Sequence, residues 1–216
     1  MDLPPGLAIP LAVIAGYVLG SVDFAVWVAR ARGVDIYAVG SGNPGTSNVA
    51  RTLGKGAAAM VLVGDLLKGT IAAAIGFVLL PEPAGGVLSG WGLAALAGFA
   101  AVVGHCFPVL HKFQGGKGVA TAVGVLLFLN PVLGLALGAL WAVLVAITRT
   151  ASIGSLVVLL LTPVAYWFVG PLGTVDITPF GSLVWVTAIV VLVLFRHAPN
   201  IRRILGREES TITKDG

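Results

Sequence analysis

Long apolar runs separated by short polar loops constrain this chain's fold more than any other feature. A helix needs about 20 consecutive apolar residues to cross the hydrocarbon core, and inside lipid the backbone must satisfy its own hydrogen bonds. The pattern predicts helices over about 7–30, 55–80, 90–110, 118–129, 131–147, 153–170 and 179–196. Composition excludes a soluble domain: 57% of the 216 residues are hydrophobic and 10% charged, where soluble domains carry about 25% charged residues. We therefore expect an all-α polytopic membrane protein, one membrane-embedded domain over 1–216, with a loosely ordered tail from about 206. The start, MDLPPGLAIP, lacks the basic stretch of a cleavable signal peptide, so the first run is expected to stay as an anchor. The fourth run is short and ends at Asn130-Pro131, because proline disfavours helix in the residue before it. It is either a short spanning helix in a thinned, protein-lined region or one arm of a re-entrant hairpin with the fifth. The charges fit the first better.

The 13 Lys and Arg side chains set an orientation. Arg30, Arg32, Arg51 and Lys55 lie between the first and second runs, Lys112 and Lys117 between the third and fourth, and Arg149 between the fifth and sixth. Arg196, Arg202, Arg203, Arg207 and Lys214 follow the seventh, and only Lys68 lies inside a run. The opposite loops contain none. Cytoplasmic loops concentrate Lys and Arg, so the sequence predicts seven crossings, N-terminus outside and C-terminus cytosolic. The net charge of +4 is explained by this placement, and no nucleic-acid partner is expected. Cys106 is the sole cysteine, which excludes an intramolecular disulfide.

Both glycine-rich loops fall on the basic side. In Gly40–Arg51, GSGNPGTSNVAR, glycines permit tight turns, Ser, Thr and Asn supply short donors, and Arg51 can grip a phosphate with two parallel bonds. The bland alternative is a polar turn capping the second helix, with Ser47 or Asn48 as its cap. In Gly104–Gly118, GHCFPVLHKFQGGKG, the end runs straight into an apolar helix, whose exposed amides favour an anion. A Walker A loop is excluded, since it would need glycine at His111 and Ser or Thr at Gly118. His105 can be a general base, a phosphate donor or a packed interfacial histidine. Asp65 and Lys68, three apart on one helical face, can pair; intramembrane charges are costly and point to function. The spacings Gly16-x-x-x-Gly20 and Gly134-x-x-x-Gly138 read as helix packing. No His, Asp and Glu grouping has metal-ligand spacing, and no metal or cofactor is expected.

Four stretches together resemble one known family: GSGNPGTSNVARTLGKG with the following DLLKG, GHCFPVLHKFQGGKGVATAVG, TRTASIGS, and RHAPNIRRILGREE. The chain is similar to the integral-membrane, acyl-phosphate-dependent glycerol-3-phosphate acyltransferases of bacterial phospholipid synthesis, in the same order and spacing from Gly40 to Glu208. The resemblance implies a bacterial cytoplasmic-membrane enzyme whose active site faces the cytosol. It would transfer a fatty acyl group from acyl phosphate to the sn-1 hydroxyl of glycerol 3-phosphate, with membrane lipid around it. It implies catalytic or phosphate-contacting roles for Ser41, Arg51, His105, Lys117 and Ser152. Substrate-binding roles fall to Gly42, Asn43, Gly45 and Asn48 in the first loop, to Gly115, Gly116 and Gly118 in the second, and to His197 and Asn200 near the C-terminus. Thr46, Lys68 and Arg149 join the expected substrate contacts on their own chemistry, a loop hydroxyl and two cations on offer to phosphate. The catalytic His-x4-Asp pair of many glycerolipid acyltransferases is absent, because Leu110 stands at the aspartate position. Departures from the family pattern are Thr46-Ser47 for Ala-Thr, Gln114 for a basic residue, and Asp23 for a frequent proline. Two other classes stay open: a transporter of a small organic phosphate, and a structural membrane scaffold.

Overall fold

The computed structural model describes residues 3–80, 90–171 and 180–211. Among these it is wholly helical, with ten α-helices. They are α1 (Pro5–Gly20), α2 (Phe24–Arg30), α3 (Thr46–Leu53), α4 (Lys55–Leu79), α5 (Gly90–Cys106), α6 (Val119–Leu129), α7 (Pro131–Thr148), α8 (Ala151–Val169), α9 (Phe180–Arg196) and α10 (Ala198–Leu205). α5 is the central post, packed against α1, α4, α6 and α9 and made largely of Ala, Gly, Leu and Val. A Cβ at Gly16 or Gly20 would run into the backbone of Ala97 or Ala101, so the first small-residue spacing brings α1 onto α5. The second works by halves. Gly134 abuts Leu127, whereas Gly138 has open space beside it.

The single helix expected over 7–30 is broken at residues 21–23. Asp23 is the reason: its carboxylate accepts from the Val26 amide at 3.1 Å and caps α2. The freed Val22 carbonyl turns to Lys68, 2.8 Å away. Two further helices, α3 and α10, fall in segments expected to be loop and flank. α3 doubles back onto α4 through Gly54, whose φ of 87° suits a residue without a Cβ. α10 leaves α9 at a 54° bend at His197.

Five helical stretches among the described residues are long and apolar enough to cross a membrane, and a sixth if α9 and α10 form one bent span. α6, with 11 residues, is apolar but short. It is fastened by the Thr70 hydroxyl, which donates to the Gly124 carbonyl at 2.8 Å. Asn130 ends α6 and starts α7, accepting from the Leu133 amide at 2.9 Å and donating to the Gly170 carbonyl at 2.7 Å.

Candidate active site

The polar stretches meet around a cavity of about 520 Å³. The first loop contributes Ser41, Asn43 and Gly45, and α3 contributes Thr46, Ser47, Asn48 and Arg51. The second loop and the start of α6 contribute His105, Lys117 and Gly118. Ser152 and Ser155 enter from α8, Asp65 from α4, and His197, Asn200 and Arg203 from the bend and α10.

Both glycine loops end in a helix start without a side-chain cap. α3 begins after Gly45 and α6 after Gly118, whose φ is 89°. The alternative of a Ser47 or Asn48 cap is thus not realised, and the first amides of each helix lack intrahelical partners. The Thr46 hydroxyl is buried at the cavity wall without a hydrogen-bond partner among the described residues. Uncapped amides and an unused hydroxyl favour an anion there.

The cations differ in their freedom. Among the described residues Arg51 makes only long contacts, from Nη2 to the Ser41 hydroxyl at 3.4 Å and from Nη1 to the Thr211 carbonyl at 3.5 Å. Lys117 has no hydrogen bond or ion pair to the described residues. Its ammonium is lowered to about 8, by burial above all; Glu209 offsets this in part, while Arg203, Arg51 and Arg196 add to it.

Other residues hold the loops in shape. Asn48 is buried with both ends of its amide committed. It accepts from the Ser41 amide at 2.9 Å and donates to the Val39 and Ile36 carbonyls at 3.0 and 3.5 Å. That geometry makes it a brace of the first loop more than a ligand. Arg196, read from sequence as a basic flank, donates to the carbonyls of Gly116 (3.1 Å) and Gly115 (2.7 Å). Gly42, Gly115 and Gly116 shape the loops without lining the cavity.

The Tyr37 hydroxyl ties the two loops together, donating to the Gln114 carbonyl at 2.8 Å. Burial first, then the charges of Asp23 and Asp35, push this phenol up to about 12, so it stays a donor. Tyr37→Phe is expected to loosen the latch, a hydrogen bond contributing about 0.5–1.5 kcal/mol. Limited proteolysis within either loop should then run several-fold faster with little change in the thermal midpoint. Equal rates for both proteins would count against the latch.

Ser152 and Asn200 do not stand free in the cavity. The Asn200 amide donates to the Ser152 hydroxyl at 2.8 Å and to Glu209 Oε1, the Ser152 hydroxyl also donates to Glu209, and Arg203 donates to Oε2 at 2.7 Å. Burial opposes the Glu209 charge, but these donors outweigh it and hold its carboxyl below the usual range. The tail therefore returns to the cavity wall at Glu209 and Ser210; 212–216 lie outside the described residues. Two of the expected substrate contacts stand off the cavity wall. Arg149 is exposed as the left-handed end of α7 (φ 54°) and does not reach the cavity. Lys68 does not line it either.

Lys68 lies behind the wall, 3% exposed. Its ammonium pairs with Asp65 at 2.7 Å, donates to the Val22 carbonyl at 2.8 Å and lies 2.8 Å from His105 Nδ1. The Asp65–Lys68 pair read from spacing is thus formed, with His105 as its third member. Glu209, Tyr37 and Arg196 carried no readable signal, since their partners lie on other elements.

A model of the glycerol-3-phosphate acyltransferase family matches residues 10–207. A glycerol-3-phosphate acyltransferase of Rubrobacter xylanophilus is 46% identical over 92% of each chain. One of Neisseria meningitidis serogroup B is 44% identical over 93% of this chain and 96% of its own. Among solved structures, PlsY (YgiH), an integral membrane glycerol 3-phosphate acyltransferase, superposes in its glycerol 3-phosphate form with a TM-score of 0.82. It is 34% identical over 94% of both chains. Its lysophosphatidic acid form gives 0.81. A matched family model over nearly the whole chain, relatives above 40% identity and a shared helical frame lead to one conclusion: the chain belongs to the glycerol-3-phosphate acyltransferase family.

Proposed function

We propose that this protein transfers a fatty acyl group from acyl phosphate to the sn-1 hydroxyl of glycerol 3-phosphate, giving 1-acyl-glycerol 3-phosphate and phosphate. The observation that carries the reading is the convergence of two uncapped helix starts with Arg51 and Lys117 on one cavity. Two phosphate-bearing substrates need two such cradles side by side. A smaller apolar cleft between α6, α7, α8 and α9 shares Val119, Val123, Trp141 and Ser155 with the cavity and suits an acyl chain entering from the bilayer. In our reading α6 completes seven crossings, the N-terminus is outside, and the cavity opens to the cytosol. The placement of Lys and Arg supports this orientation.

In the reaction, the acceptor hydroxyl attacks the acyl carbonyl carbon, the carbon–oxygen bond to the donor phosphate breaks, and phosphate leaves with the hydroxyl proton. A donor phosphate oxygen takes that proton, so the protein's share is orientation and stabilisation of the developing oxyanion. Ser41, Asn43 and the α3 amides would orient one phosphate with Arg51. Lys117, the α6 amides and the neighbourhood of His197 and Asn200 would orient the other.

Lys117 gives the reaction a pH signature. The ammonium is charged below about 8 and neutral above it, so the KM of a phosphate substrate should rise as pH climbs through that range. Lys117→Arg, with a guanidinium that stays charged, should keep KM flat. A wild-type KM independent of pH up to 9.5 would remove Lys117 from the binding set. The function itself is tested by giving purified protein acyl phosphate and labelled glycerol 3-phosphate. Acylated product is expected; its absence, with phosphate uptake into proteoliposomes, would establish a transporter instead.

A further inference from the structure

Resting on the acyl-transfer reading, we propose that Asp65 and Lys68 are positioning residues that fix His105 as a neutral imidazole protonated at Nε2. In that state the ring presents a hydrogen-bond donor to the cavity and no general base.

The Lys68 ammonium lies 2.8 Å from both the Val22 carbonyl and His105 Nδ1, and it forms an ion pair with the Asp65 carboxylate at 2.7 Å, whose Oδ1 makes no hydrogen bond among the described residues. Val22 is free to accept because Asp23 takes the amide of Val26 and breaks the helix there. The Lys68 ammonium, 2.7 Å from the Asp65 carboxylate, has no lone pair to accept with. At 2.8 Å from it, Nδ1 must therefore be the acceptor. A proton on Nδ1 would set two donors face to face, and Asp65 Oδ1, 3.5 Å away, is too distant to draw that proton to itself. The single ring proton then sits on Nε2. That edge abuts Gly116, where a Cβ would collide with it, and the ring forms part of the cavity wall. Nε2 has no hydrogen-bond partner among the described residues, so its N–H is available to a substrate oxygen.

A purely structural ion pair would not need His105, and a base would need an unprotonated nitrogen facing the cavity. Nitrogen-15 NMR separates these without any activity measurement. The chain has three histidines, and His105→Gln identifies the signal of His105. We expect an unprotonated Nδ1 and a protonated Nε2 in the substrate-free protein. An imidazolium, or a proton on Nδ1, would overturn the proposal.

Kinetics give the second readout. The amide nitrogen of glutamine reaches toward the Nε2 position and that of asparagine toward Nδ1. His105→Gln should hold kcat within about tenfold of wild type, and His105→Asn should lose about 10²-fold, the effect of removing one oxyanion donor. Equal losses in both would refute the donor role. Lys68→Met alone leaves Asp65 buried and unpaired, so Asp65→Leu/Lys68→Met, which removes both charges, is the second variant. In it the His105 signals should move to a mixture of tautomers while kcat falls and KM changes little. Unmoved signals would refute the positioning role. Wild-type protein that makes no acylated product but shows the expected tautomer would fail the transfer reading and leave the assigned ring state standing.

Discussion

Replacing Arg51 by alanine is expected to lower kcat/KM for glycerol 3-phosphate by about 10²–10³-fold, the size of losing one charged donor at a reacting oxyanion. The thermal midpoint should stay within a few degrees. Both expectations come from how little the fold asks of this side chain. Its contacts at 3.4 and 3.5 Å are long for charge-assisted bonds, and no carboxylate pairs with it among the described residues. α3 is held instead by buried Val49 and by the braced amide of Asn48. A guanidinium with idle donors beside two uncapped amides is ready for a phosphate. Arg51→Lys keeps the charge but loses the two-pronged geometry, and should fall between wild type and alanine. Steady-state kinetics with both substrates varied would decide. Retention of kcat/KM in Arg51→Ala would remove the first loop from phosphate binding, and a collapsed midpoint would reassign the arginine to the fold.

The helical frame was legible because apolar runs and their punctuation are local properties of the chain. Asn130-Pro131 ended a helix where the structure ends one, and glycine stretches marked both loops. The break at Asp23 was not legible, since its cause is a side chain competing with the helix for one amide, against a continuous apolar background. α3 and α10 were missed because each has 8 residues and a polar face, too short for an apolar run to announce it. At the site, sequence placed the right loops on one side, and the structure sorted their residues. Asn48 turned inward to brace, Arg149 ended a helix, and Lys68 went behind the wall. For Lys68 and Arg51 the sorting depends on partners about 40 and 160 residues away, His105 and Thr211, and no local pattern encodes it; Asn48 and Arg149 are set by nearby backbone, through turn geometry that an apolar pattern does not register.

Gly116→Ala should cost about 10²-fold in kcat/KM, as a catalytic group displaced by about 1 Å does. The loss should fall mainly on the KM of the phosphate held by the second loop. Backbone strain is not the cause, because Gly116 does not have a positive φ. Crowding is. The new methyl would press on His105 Nε2 and stand 3.0 Å from the Pro44 carbonyl of the first loop. Neither neighbour can retreat easily. The imidazole is held from its far side by Lys68, and the first loop is latched to Gln114 through Tyr37. The second loop must therefore move, although Arg196 grips the carbonyls of Gly115 and Gly116, and Lys117 moves with it. This account makes a sharper claim than loss of activity. If the damage runs through the clash with the ring, removing the ring should relieve part of it. His105→Ala/Gly116→Ala should then lose less than the two single variants combined, by at least the ~0.5 kcal/mol that marks coupled residues in contact. Strict additivity in that cycle would mean that the methyl acts on the first loop or on an incoming phosphate, not through His105.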